Sequence, residues 1–255
     1  MSKGLRIFYD VDTQHDFMDK DGALYVPGAE EIKPNLNRLM QYAIEKEIAL
    51  VGSVDKHFGT EKYRHREIEL KRWGGKFPDH CMAGTKGQEK ISETSRFYYP
   101  QGEEVALEIY IPHNLDKGKD ESELRYALRA FKHSKEYGLF FEKQHNDIFT
   151  NPIFERFLRK ADIKKAVVYG VATDYCVKAA VLGMQQRGVQ CYVVEDAIAA
   201  VSSDTGEKSL EEMVKSGAKL IKTDEVLNNK MNWVEIKRRD ELEKIIKKVL
   251  KKKKR

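Results

Sequence analysis

At 255 residues with 41% hydrophobic side chains, the chain can bury one sizeable core, which excludes a disordered tail or a linker-like segment. No run approaches the ~18 consecutive apolar residues of a membrane span, and the 34% of charged residues stands above the usual quarter. The net charge of +5 gathers at the C-terminus, where Lys247-Lys248-Val249-Leu250-Lys251-Lys252-Lys253-Lys254-Arg255 ends a helical pattern starting near Trp233. Cations suit a helix C-terminus, and without interleaved aromatics or a recognisable module the tail does not favour nucleic acid as a partner. Three cysteines, an odd number with no Cys-x-x-Cys pair and no N-terminal apolar segment, argue against a disulfide framework and for a reducing, cytoplasmic setting.

Short apolar runs alternate with longer amphipathic ones. Leu5 to Val11 reads as a strand, Glu30 to Lys46 as a helix and Ile48 to Val54 as a strand. Residues 84–137 are the least regular part, with a strand-like Val105 to Ile111 and a helical Glu121 to His133, and read as an insertion rather than a separate domain. Strand and helix signals then alternate over Gly138 to Phe141, Pro152 to Arg159, Ala166 to Val171, Tyr175 to Arg187 and Val189 to Val194. A helix around Ser209 to Lys215 and a strand at Ala218 to Ile221 follow, before the basic helix expected over about 233–255. This βα alternation predicts a single α/β domain over residues 1–255: a doubly wound, mostly parallel sheet with helices on both faces. Ligands of such sheets gather beyond the carboxyl ends of the strands.

The residues at those ends carry chemistry. Strand one runs out into Asp10-Val11-Asp12-Thr13-Gln14-His15-Asp16-Phe17, strand two into Ser53-Val54-Asp55-Lys56-His57, and a later one into Phe141-Glu142-Lys143. Val167 to Tyr169 delivers Cys176 through a turn, with Thr173 or Asp174 as the expected N-cap. In a first helical turn the free N–H groups favour thiolate over thiol, so a lowered Cys176 pKa is expected. A small buried hydrophobe is the plain alternative. Cys191, inside a β-run, reads as core, and packing is also the expected role of Cys81. Asp55 and His57, alternate residues past a strand end, can share one ion, and His80 can complete a set of one carboxylate and two imidazoles. Histidines near an acid without any ion are the alternative at this stage.

Taken together, Val11-Asp-Thr-Gln-His-Asp-Phe17 and Gly170-Val-Ala-Thr-Asp-Tyr-Cys-Val177 resemble the opening and nucleophile motifs of the isochorismatase-like cysteine hydrolases, and among them the nicotinamidase/pyrazinamidase branch, over roughly residues 5 to 225. The resemblance implies an Asp12–Lys143–Cys176 triad, a cis peptide at Val171-Ala172, and an oxyanion hole from the backbone N–H groups of Ala172 and Cys176. It implies a divalent metal held by Asp55, His57 and His80, zinc first, with iron or manganese open. Phe17 and Trp73 are the expected walls for a planar ring, and homo-oligomers are common in the superfamily. Departures from the family pattern bear on the substrate: Phe77-Pro-Asp-His-Cys81 stands where Trp-Pro-x-His-Cys is usual, and Gln144-His-Asn-Asp-Ile-Phe-Thr-Asn151 replaces a serine-containing segment.

The expected activity is metal-dependent hydrolysis of nicotinamide, or a related small aromatic amide, to the acid and ammonia through a cysteine thioester. A cysteine amidohydrolase acting on another amide or a ureido compound is the enzyme alternative. A non-catalytic scaffold using the basic tail is the non-enzyme one.

Overall fold

Seven parallel strands, in the order β5-β6-β2-β1-β7-β8-β9, form the sheet in a computed structural model that describes residues 5–95, 97–98, 105–113, 119–132 and 137–228. In chain order these are β1 (Leu5–Val11), β2 (Ala49–Asp55), β5 (Glu108–Ile111), β6 (Gly138–Lys143), β7 (Ile163–Val171), β8 (Gln190–Ala199) and β9 (Lys219–Ile221); β3 (Phe97–Tyr98) and β4 (Val105–Ala106) pair as a separate antiparallel ribbon. The helices are α1 (His15–Met18), α2 (Ala29–Glu45), α3 (Asp120–Lys132), α4 (Pro152–Lys160), α5 (Lys178–Gln186), α6 (Ser203–Lys215) and α7 (Thr223–Leu227). The central strands are rich in β-branched and aromatic residues, as parallel strands covered on both faces require. One core packs β1, β6 and β7 against α3, α4 and α5; a second packs Phe8, Leu50, Val167 and Tyr169 against α2.

The stretch read as an insertion, 84–137, contributes β5 at the sheet edge and α3 on the first core. The strand expected over Val105 to Ile111 is broken at Leu107 into β4 and β5, which belong to different sheets. The basic helix expected over 233–255 lies outside the described residues. Among the described residues no helix is long and apolar enough to cross a membrane.

Strand order reverses between β1 and β7, which are neighbours although their connections leave in opposite directions. That switch point opens a crevice beyond the strand ends. Gly170 lies there at φ 113°, and a Cβ on it would meet the Val11 carbonyl oxygen at 2.1 Å. Close approach of β7 to β1 at this position therefore requires glycine.

Candidate active site

Asp12 follows β1 at φ 49°, Lys143 ends β6, and Cys176 sits past β7; all three are buried in the crevice. The Asp12 backbone N–H bonds the Ser53 carbonyl at 3.1 Å, and its Oδ1 accepts from the Ser53 hydroxyl at 2.7 Å. The Lys143 ammonium lies 2.8 Å from Asp12 Oδ2, 2.5 Å from Asp55 Oδ1 and 3.5 Å from Cys176 Sγ. The sequence-predicted triad is thus assembled around one cation, with Asp55 as a fourth member.

The turn Thr173–Val177 is π-helical and precedes α5, and the peptide Val171-Ala172 is cis as the resemblance implies. Ala172 precedes this turn as its N-cap residue, and Cys176 lies within it. Neither Thr173 nor Asp174 caps the turn that holds Cys176. Instead Asp174 accepts from the N–H groups of Val201 and Ser202, at 3.0 and 3.3 Å, and from the Thr205 hydroxyl at 2.5 Å. Its carboxylate ties down the chain that leads into α6 rather than the N–H groups of its own turn.

Burial overrides the expected activation of the thiol. It pushes Cys176 well above its ordinary pKa, Lys143 offsets this only partly, and Asp12 adds to it. Burial likewise raises the Asp12 carboxyl despite Lys143. Burial opposes the Lys143 charge, but Asp12 and Asp55 outweigh it and raise that ammonium well above the usual lysine value. Lysine remains the charged partner while the thiol rests protonated.

Asp55, His57 and His80 come together, joined by Glu69, which the sequence did not point to. One ligand-type atom from each of the four lies within 4.8 Å of the others. The chain past β2 runs alongside residues 81–83, with His57 N–H bonded to the Cys81 carbonyl at 3.0 Å and Ala83 N–H to the His57 carbonyl at 2.7 Å, and this carries His80 inward. Glu69 arrives through a loop closed where Leu70 bridges Phe77. His57 Nε2 is 3.6 Å from Glu69 Oε1, and His80 Nε2 is 3.8 Å from Asp55 Oδ2 and 3.7 Å from Glu69 Oε1.

Burial and the cluster's own charges set its protonation. Burial lowers His57 to about 4, so its imidazole is neutral. Burial and the Asp55 charge raise Glu69 to about 7. Burial would raise Asp55, but Lys143 and the imidazoles hold it below the usual carboxylate range. Burial would lower His80, and Asp55 more than reverses this. Both ring nitrogens of His57 are buried without a hydrogen-bond partner, a costly arrangement in a protein interior. Two imidazoles and two carboxylates with orphaned lone pairs fit a divalent ion of the zinc, iron or manganese type.

Cys176, Ala172, Asp55, Glu69 and His80 face a small cavity walled by Phe17, Phe77 and Tyr175, with Val201 at the lining as well. Phe17 lines this cavity, its ring 5.4 Å from that of His80. Trp73 does not line this cavity: it ends the short 3₁₀ turn Lys71–Trp73, with the Arg64 guanidinium over its ring. Phe77, ring to ring with Tyr175 at 5.4 Å, supplies the aromatic wall instead. Cys81 and Cys191 are buried in the core and unbridged.

Residues 109–225 match the isochorismatase domain family model. Curated relatives include the nicotinamidase of Escherichia coli, 26% identical over 225 residues with 82% of this chain and 91% of the relative covered. The nicotinamidase/pyrazinamidase of Mycobacterium tuberculosis is 24% identical, with 85% and 98% covered. A pyrazinamidase of Pyrococcus horikoshii solved in complex with zinc shares the fold with a TM-score of 0.61 at 24% identity, over 85% of this chain and 98% of that one. The matched domain, the relatives and the shared fold agree in a likeness to the isochorismatase-like hydrolases, carried by residues 109–225 in the family model and by most of the chain in the relatives.

Proposed function

We propose that the protein is an amidohydrolase that converts nicotinamide, or a closely related small aromatic amide, to the carboxylic acid and ammonia, with Cys176 as nucleophile. The observation that carries this reading is the Lys143 ammonium held between Asp12, Asp55 and Cys176 inside a cavity with aromatic walls. The relatives' nicotinamidase names support the substrate class.

Because the thiol rests protonated, Asp12 acts as general base during attack rather than facing a standing thiolate. Sγ bonds to the amide carbon as the thiol proton passes to Asp12, and the carbonyl π pair moves onto oxygen, where the N–H groups of Ala172 and Cys176 would receive it. Asp12 returns that proton to the nitrogen, the C–N bond breaks and ammonia leaves. Water then adds to the thioester, giving its proton to Asp12, and the C–S bond breaks to release the acid and restore the thiol. Lys143 keeps Asp12 anionic enough to accept a proton and offsets charge building on sulfur.

Asp55, His57, Glu69 and His80 would hold a divalent ion. When bound there, it supplies a Lewis-acidic anchor for a ring nitrogen at the cavity end shared with Asp55. Phe17, Phe77 and Tyr175 exclude water from both faces of a flat ring.

Ammonia release from nicotinamide, compared between the wild type and Cys176→Ala, tests the reading. Turnover in the wild type and a loss of at least about 10³-fold in the variant is expected. Turnover of other amides alone would discard the substrate and keep the thiol, and silence on a panel of amides and ureido compounds would overturn the reading.

A further inference from the structure

Beyond Ser53 the two central strands part company. The Asp12 N–H makes the last β1–β2 backbone bond, to Ser53, and the chain then turns away, while β2 runs on to Asp55 and keeps its β6 neighbour. On its β1 side, the Asp55 peptide therefore has no strand beside it. The Gln14 side chain takes that place. Its Oε1 accepts from the Asp55 N–H at 2.7 Å and its Nε2 donates to the Asp55 carbonyl at 2.8 Å, so a side-chain amide imitates the missing peptide of a strand. The same Nε2 donates to the Gln88 carbonyl at 2.6 Å. Gln14 is fully buried, and its own N–H is tied to the Asp12 carbonyl at 2.8 Å.

Asp55 is the residue whose placement matters most, since one carboxylate oxygen meets the Lys143 ammonium and the other faces His80. A side chain pulled from both sides holds its position only if its backbone is fixed. We infer that Gln14 is a positioning residue: by clamping both polar groups of the Asp55 peptide it sets the carboxylate between the triad lysine and the cation cluster, and so tunes the affinity of that cluster. The inference rests on the reading of Asp55, His57, Glu69 and His80 as a metal site.

The chemistry of the clamp is specific. Gln14→Met keeps length and bulk but leaves an orphaned donor and acceptor on a buried peptide. Gln14→Glu keeps the acceptor for the Asp55 N–H and loses the donors. Its added negative charge would by itself strengthen cation binding, so weaker binding in this variant reports geometry.

The test is calorimetric titration of Zn2+ into the full-length chelated protein, comparing wild type, both Gln14 variants and Asn151→Ala. Asn151 is an equally buried brace that donates to the Glu142 carbonyl at 2.9 Å without touching the cluster, so it reports the effect of destabilisation alone. Zn2+ affinity is expected to fall about 10- to 100-fold in the Gln14 variants, as when a partner that orients a ligand is removed, and to stay unchanged in Asn151→Ala. If Gln14→Met does not fold, Gln14→Glu decides. Gln14 variants that bind Zn2+ as tightly as the wild type overturn the positioning role and leave the metal reading intact. A wild type that binds no divalent ion overturns the metal reading, and this inference with it.

Discussion

Burial decides the resting state of the Cys176 thiol. Position near a helix start and a neighbouring lysine both suggest a ready thiolate, but Cys176 is nearly sealed from water beside two carboxylates, and these outweigh Lys143. With the thiol raised well above its ordinary value, the thiolate fraction is small at neutral pH and grows as pH rises. Iodoacetamide labelling of Cys176 in the substrate-free protein should therefore keep climbing above pH 9; a plateau below pH 8 would contradict the protonated resting state. Asp12→Asn removes the proton acceptor and should lower kcat by about 10²- to 10⁴-fold, measured under saturating amide. Asp12, Lys143 and Cys176 were each legible because each ends or follows a strand, and the resemblance implied their grouping as a triad. Glu69 was not, since it lies 12 positions from His57 with no strand end to announce it and reaches the cluster only through the Leu70–Phe77 loop closure.

At the scale of elements, the strands and helices of the βα units were readable from period and length, and the differences have local causes. Strand β8 runs on to Ala199, five residues past the expected end, because Ile198 and Ala199 stay paired with Gly170 and Val171 after a register shift. The start of the 84–137 stretch does more than join units. The Lys90 ammonium, fully buried, donates to Asp10 Oδ2 at 2.7 Å and to the Thr13 hydroxyl at 2.8 Å, and Ile91 N–H bonds the Thr13 carbonyl at 3.0 Å. This segment is the buttress under the loop that carries Asp12 and Gln14. Lys90→Ala leaves the Asp10 carboxylate buried and unpaired, and should cost about 3–5 kcal/mol in urea unfolding. Combining Lys90→Met with Asp10→Asn should recover part of that loss, because the uncompensated charge is gone.

The whole molecule is a rim of functional groups set at one switch point. If the four-residue cluster takes a divalent ion, binding to the native state alone should stabilise it by about 2.7 kcal/mol at a hundredfold excess of free ion over Kd. For a chain of this size that corresponds to a Tm rise of roughly 5–10 °C. His57→Ala should abolish the rise, whereas an equal rise in the variant would place the ion elsewhere. By itself the sequence determined the alternation of strand and helix, hence the doubly wound sheet, and the identity of the groups at each strand end, because period, turn residues and motif spacing are local properties of the chain. Only the tertiary structure decided that Glu69 joins the histidines, that Phe77 rather than Trp73 walls the cavity, that Gln14 stands in for a missing strand and that the thiol rests protonated. Those outcomes depend on which distant segments meet and how completely they exclude water.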